Sequence, residues 1–355
     1  MAMGNVLPPP VAQALFYQWF WILAGLTLAL GVVVTIRRVR QGFHDDSWRV
    51  YSGAYVWLLK GLGALWLLDG LLQAQPLMIT RFIGGFLAPL IQGQPFFLRD
   101  LIDAGIRVWG INPVIWNEFS TWIQIGIGLL LIMGRGFWIR FGLWFSLAWG
   151  LVVWIGGEAM GSIFSGGSWL GGSPGSVLLY MLLALLLLLP PAFWQSRGII
   201  KSLSWGMAGL WALVAILQAW PASEFWRGQT TAGYILSMAN MPQPSIFSAP
   251  LYAWANQLTA HPALWNAGLV MVFVLLALLW VIRPHSRVTW WLSAAVTFAS
   301  WWLGQDFGVL GGMGTDPNSG VVVLLTLVVY ARAATVPLFG HVLGRESSVG
   351  EGSSS

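Results

Sequence analysis

The sequence predicts an all-α integral membrane protein of nine transmembrane helices: two parallel four-helix repeats behind one N-terminal helix. Three observations carry this reading. First, 57% of the 355 residues are hydrophobic and 8% are charged, whereas a soluble domain carries about 25% charged residues. Second, nine apolar runs approach the ~20 residues that cross a bilayer core. Third, segments of the first half recur in the second half in the same order.

A soluble fold of this composition would expose large apolar patches and aggregate; lipid is the solvent that tolerates it, so the bilayer is the expected partner. The net charge of +5 does not indicate nucleic acid, because the basic residues stand singly or in short groups at the ends of apolar runs rather than in one patch. The absence of cysteine excludes disulfides, thiolate metal sites, iron–sulfur clusters and cysteine nucleophiles. His44, His261, His285 and His341 lie at run ends or between runs, so paired axial ligands for a buried haem are lacking. Met160, Met238, Met241 and Met313 have no His or Cys neighbours to complete a Cu(I) site. No metal and no intrinsic cofactor are expected. The 25 tryptophans fit interfacial belts and packing between helices.

The runs cover 13–36, 54–75, 114–133, 138–158, 175–192, 202–220, 262–282, 287–305 and 319–337. The first is too long for a cleaved signal peptide and is followed, not preceded, by Arg37, Arg38 and Arg40. With the N-terminus outside, 13 Lys and Arg fall on the cytoplasmic side and 4 (Arg81, Arg99, Arg107 and Arg227) outside. That is the bias of the positive-inside rule. The expected units are an N-terminal helix with a basic cytoplasmic loop (1–53), a first repeat (54–193), a second repeat (194–337) and a disordered cytoplasmic tail (338–355).

The repeat rests on four matches. LWLLDGLLQAQP at 65–76 aligns with LWALVAILQAWP at 210–221, and PVIWN at 113–117 with PALWN at 262–266. WIGGE at 154–158 aligns with WLGQD at 302–306, and SPGS at 173–176 with DPNS at 316–319. Four helices per unit give both units the same polarity, so an axis along the membrane normal should relate them. Residues 76–113 and 221–261 are too apolar for free loops and too broken to span. They read as short amphipathic helices roofing each bundle at the outer interface. GGSWLGGSPG at 166–175 lacks the ending of a phosphate loop and reads as a flexible outer loop.

A four-helix unit whose first helix ends in a Gln/Pro turn, followed by a roofing segment and a Gly-rich second helix (IQIGIGLLLIMG, 123–134), resembles the DoxX-like superfamily. That group includes the DoxD small subunit of thiosulfate:quinone oxidoreductase. The nearest likeness is to bacterial membrane proteins carrying two such units. It covers about 54–337, implies a redox setting with quinone as ligand and a redox partner protein, and assigns no residue a role.

The candidate site is polar. Glu158 and Asp306 align at the outer ends of their helices. A carboxylate at that depth costs several kcal/mol unless paired, hydrated or protonated. They are proton-exchanging candidates or, equally, ion-pair partners of Arg99, Arg107 or Arg227. Gln73 with Gln218, and Asn117 with Asn266, are matched amides that either orient a ligand or hydrogen-bond helices together. Asp69 lies one turn below Gln73 on the same face, and its partner in the second half is Val214. It is the leading proton-exchanging candidate, the alternative being a neutral acid that holds helices. Trp66, Trp116 and Trp154 should wall a cavity lined by Asp69, Gln73, Asn117 and Glu158. A shallower version is expected around Gln218, Asn266 and Asp306. Asp316 and Ser173 read as helix caps before Pro317 and Pro174, as does Asn112 before Pro113. Glu118 reads as a first-turn acid favoured by the helix dipole. Three functions compete: a quinone-binding membrane subunit of an oxidoreductase, a transporter or channel for a small solute or ion, and a structural or assembly protein of the envelope.

Overall fold

The computed structural model describes residues 7–40, 51–227, 229–312 and 314–334. The expectations for His44, His341, Met313, the basic first loop and the tail lie outside them. Among the described residues every regular element is helical. In order these are α1 (Pro9–Arg40), α2 (Gly53–Gln73), α3 (Pro76–Arg81), α4 (Phe96–Ile111), α5 (Pro113–Met133), α6 (Phe137–Gly156) and α7 (Ser176–Leu188). They continue as α8 (Pro191–Trp194), α9 (Arg197–Ala219), α10 (Gln229–Ala239), α11 (Ser245–Ala260), α12 (Pro262–Ile282), α13 (Arg287–Leu303) and α14 (Asn318–Ala333).

Six helical segments are long and apolar enough to cross a bilayer: α1, α2, α5, the stretch 137–165 headed by α6, α9 and α12. Their outward faces carry Trp19, Trp21, Leu28, Trp144, Trp205, Leu264 and Met271. A surface this apolar belongs in lipid, and the chain is a helical multi-pass membrane protein. The other apolar runs form shorter helices: 13 residues in α7, 17 in α13 and 16 in α14. Residues 76–111 and 229–260 form short helices, as expected. α4 presents three faces, with Leu98 and Ile102 buried, Asp103 and Arg107 ion-paired, and Leu101, Val108 and Ile111 exposed.

Local chemistry sets the helix ends. Asn112 Oδ1 accepts from Ile115 N–H at 3.1 Å, with Pro113 next in line, as expected of a cap. Ser52, Ser196 and Ser286 cap α2, α9 and α13 in the same way. The other two expected caps do not form. Ser173 donates to the Gly161 carbonyl at 2.5 Å, three residues before α7 begins. Asp316 accepts from Asn318 N–H at 2.7 Å but also reaches a neighbouring helix. Glu118 lies beyond the first turn of α5 and accepts from the Trp122 indole at 2.7 Å, so a side-chain partner, not the dipole, holds it.

The two stretches make matching contacts. α2 packs along α5, and α9 along α12. The first pair touches through glycine: a Cβ on Gly128 would stand 2.7 Å from the Gly63 carbonyl oxygen and 2.8 Å from Leu67 N. Small residues let helix backbones approach this closely in lipid. Gln73 Nε2 donates to Asn117 Oδ1, and Asn117 Nδ2 donates back to the Gln73 carbonyl at 3.1 Å. Gln218 and Asn266 repeat both bonds, at 2.6 and 3.4 Å. The Trp154 indole donates to the Pro174 carbonyl at 3.0 Å, and the Trp301 indole to the Pro317 carbonyl at 2.7 Å. One continuous core joins α2 and α7 to α9, α12 and α14.

The Gly-rich stretch is not a flexible loop. Trp169 is fully buried and packs edge-on against Trp211 at 5.5 Å. Its carbonyl accepts from Gln305 Nε2 at 2.8 Å. The Ser319 hydroxyl donates to the Gly172 carbonyl at 2.8 Å. The glycines buy tight turns that drive a large ring into the core.

Candidate functional site

A cavity of about 140 Å³ lies where α2 and α6 end. Asp69 and Gln73 line it from α2, one turn apart on one face, and Ser120 and Gln124 from α5. Trp149 and Val153 come from α6, and Glu158 from the turn after it. Phe82, Phe86 and Trp109 close it from the roofing segment, and Asp316 reaches in from the head of α14. No lining residue is basic. Gly105 on the roofing helix and Val152 on α6, both exposed, are among its lining residues.

The structure brings Asp69, Gln73, Glu158 and Trp66 to this cavity and leaves three expected lining residues outside it. Asn117 is consumed by its double bond with Gln73. Trp154 turns its indole to Pro174. Trp116 packs edge-on against Phe119 at 5.8 Å. Trp109 and Trp149 are the tryptophans that wall the cavity beside Trp66. Asp69 is 2% exposed and therefore faces protein, not lipid. Tyr180 donates to Asp69 Oδ1 over a long 3.4 Å, and the Trp66 indole is held by Ser146 Oγ at 2.8 Å.

The equivalence of Glu158 and Asp306 does not hold. After α6, the N–H groups of Gly157 and Glu158 both turn back to the Val153 carbonyl; after α13, those of Gly304 and Gln305 both turn back to the Ser300 carbonyl. Glu158 Oε1 accepts from Val177 N–H at 3.2 Å, and Gln305 Oε1 from Gly320 N–H at 3.1 Å. Ala159 and Asp306 both take positive φ, at 48° and 46°. Glu158 therefore corresponds to Gln305, and Asp306 to Ala159. Asp306 lies elsewhere, accepting from Gln243 Nε2 at 2.8 Å; burial pushes its carboxyl above the usual range, against that hydrogen bond. Nor do the expected arginine pairs form. Arg99 pairs with Asp100, Arg107 with Asp103 and Arg227 with Glu224.

The expected second cavity is a closed crevice at Gln218 and Asn266 with no room for a water molecule, and Asp306 does not line it.

Asp316 is the functional candidate that sequence reasoning misses. Ser176 Oγ stands 2.6 Å from Glu158 Oε1 and 2.8 Å from Asp316 Oδ1. Burial pushes the Asp316 carboxyl above the usual carboxylate range, while hydrogen bonds with Ser176, Asn318 and Thr315 pull it the other way. Gly175, at φ +101°, makes room for this group: a Cβ there would stand 2.3 Å from Glu158 Oε2. Three of the lining residues each carry a buried atom with no protein partner: Glu158 Oε2, Gln124 Oε1 and the Trp149 indole nitrogen. Buried polar atoms are ordinarily satisfied, so these two acceptors and one donor are exceptions.

Comparison with family models, with curated proteins and with solved structures finds no match for this chain. Among the described residues no three His, Cys, Asp or Glu side chains are grouped to hold a metal ion.

Proposed function

We propose that this is a nine-span membrane protein whose first four-helix repeat docks a small, lipid-soluble ring compound and exchanges protons with it, a quinone headgroup being the chemistry that fits best. The observation that carries the reading is the cavity itself. Trp66, Phe82, Phe86, Trp109 and Trp149 wall a space about the size of a dry cavity that holds one benzene ring. Three of its lining residues, Glu158, Gln124 and Trp149, each carry a buried polar atom without a protein partner. No haem, flavin or iron–sulfur ligand set is apparent, so electrons would come from a redox partner protein. In this reading α7, α13 and α14 complete the nine crossings, the recurrent amide and indole bonds mark two parallel repeats, and the basic bias places the N-terminus outside. The DoxX-like resemblance belongs to the same reading.

A second reading has its own observation. Three carboxyl groups and five aromatic rings with no basic residue are also the chemistry of an organic cation site, which would make the chain a transporter. One titration separates the two. A short-chain benzoquinone should quench tryptophan fluorescence of the purified protein saturably, and Asp69→Asn should weaken it. Saturable binding of a quaternary ammonium ion, and none of the quinone, selects the transporter. Binding of neither sinks both.

A further inference from the structure

Glu158 and Asp316 come from opposite halves of the chain, 158 residues apart in sequence, and meet across one hydroxyl. Ser176 Oγ lies within hydrogen-bond distance of both carboxyl groups, yet a serine hydroxyl has a single proton to donate. If both acids were ionised, one short contact would set a carboxylate oxygen against a hydroxyl lone pair. The backbone cannot supply a second proton there. Val177 N–H already points at Glu158 Oε1, and Asn318 N–H at Asp316 Oδ1. No lining residue is basic. The arrangement is consistent only when one acid is protonated and donates to Ser176, which donates onward to the other.

We propose that Glu158, Ser176 and Asp316 form a proton-binding site that holds one proton between the two acids at neutral pH, beside the cavity that Glu158 and Asp316 help to line. Reversing the hydroxyl moves the proton from one acid to the other without moving a helix. Like-charge neighbours keep the second proton from leaving readily, and the pair titrates as a unit. The remaining titratable groups around it are Asp69 on α2, Tyr180 on α7 and Tyr234 on α10; none is cationic. Gln124, 5% exposed and with an unpartnered Oε1, is a lining residue of the same cavity. The use of this proton rests on the ligand reading; its presence does not.

Infrared spectroscopy of the purified, ligand-free protein tests the site. A protonated-carboxyl C=O band that shifts in D2O is expected at pH 7. Glu158→Gln and Asp316→Asn should each abolish the shared component, because either acid alone ionises and accepts from Ser176. Asp69→Asn should leave that component in place. Glu158→Gln has a native precedent in Gln305, so the variant is expected to fold. Absence of the band, or its loss in one variant and survival in the other, overturns the shared proton. Failure of benzoquinone to bind while the band behaves as expected overturns only the ligand reading.

Discussion

Glu158 and Gln305 do the same structural work: each side-chain oxygen accepts an N–H from the first turn of the next helix, Val177 for one and Gly320 for the other. The carboxylate is therefore not required by the fold at that turn. Glu158→Gln should leave the thermal unfolding temperature in detergent nearly unchanged, since the acceptor to Val177 survives and Gln305 already fills the equivalent place. Proton exchange and ligand binding should fall. A large loss of stability would show that the charge holds the two halves together.

Trp169 links the halves by filling, not by charge. It is fully buried against Trp211, and its carbonyl takes the Gln305 amide. Trp169→Ala should destabilise by about 3–5 kcal/mol, the usual cost of emptying a buried Trp site. Trp144→Ala, on an outward face of α6, should cost far less. Equal losses in a detergent unfolding assay would contradict the plug.

Much of this was legible in the sequence, and the misses have physical causes. Apolar run length located the six helical segments long and apolar enough to cross a bilayer, because lipid admits little else. Asp69 and Gln73 converge because i and i+4 share a helical face. The one-residue error at Glu158 arose from the Trp301–Trp302 doublet: letters align Trp154 with Trp302, whereas the indole that reaches a prolyl carbonyl is Trp301. Asp316 was hidden because an acid before proline looks like an ordinary cap, and nothing local reveals a carboxyl from the other half across Ser176. Trp109 and Trp149 could not be picked out because only tertiary packing turns one wall of an amphipathic roof inward.

Asp316 also makes a pH prediction. Its carboxyl is raised in the folded protein by burial, so the native state holds this proton more tightly than the unfolded chain does. The stability it contributes is fully present below the unfolded value of about 3.9 and is lost as pH rises through the folded value. Asp316→Asn removes that loss. Unfolding temperature should therefore fall less steeply with rising pH in the variant than in the natural protein, measured from pH 4 upward. Parallel curves would show that Asp316 ionises without penalty.

The contact between the halves is asymmetric, and two glycines make it testable. A Cβ on Gly61 would stand 2.6 Å from both terminal methyls of Leu325, so α14 seats a leucine on α2. Gly206, 145 residues later, meets nothing within 4 Å, and Leu182, which corresponds to Leu325, is 49% exposed. On that side an apolar groove of about 300 Å³ runs between α7, α9 and α14. Gly61→Leu should be strongly destabilising, because overpacking a filled contact costs about 1–3 kcal/mol. Gly206→Leu should be tolerated, because its side chain enters open space. Unfolding temperatures of the two variants, measured side by side in detergent, check this. If Gly206→Leu proved the more damaging, the groove would have to close in the membrane, and α7 would sit on α9 as α14 sits on α2.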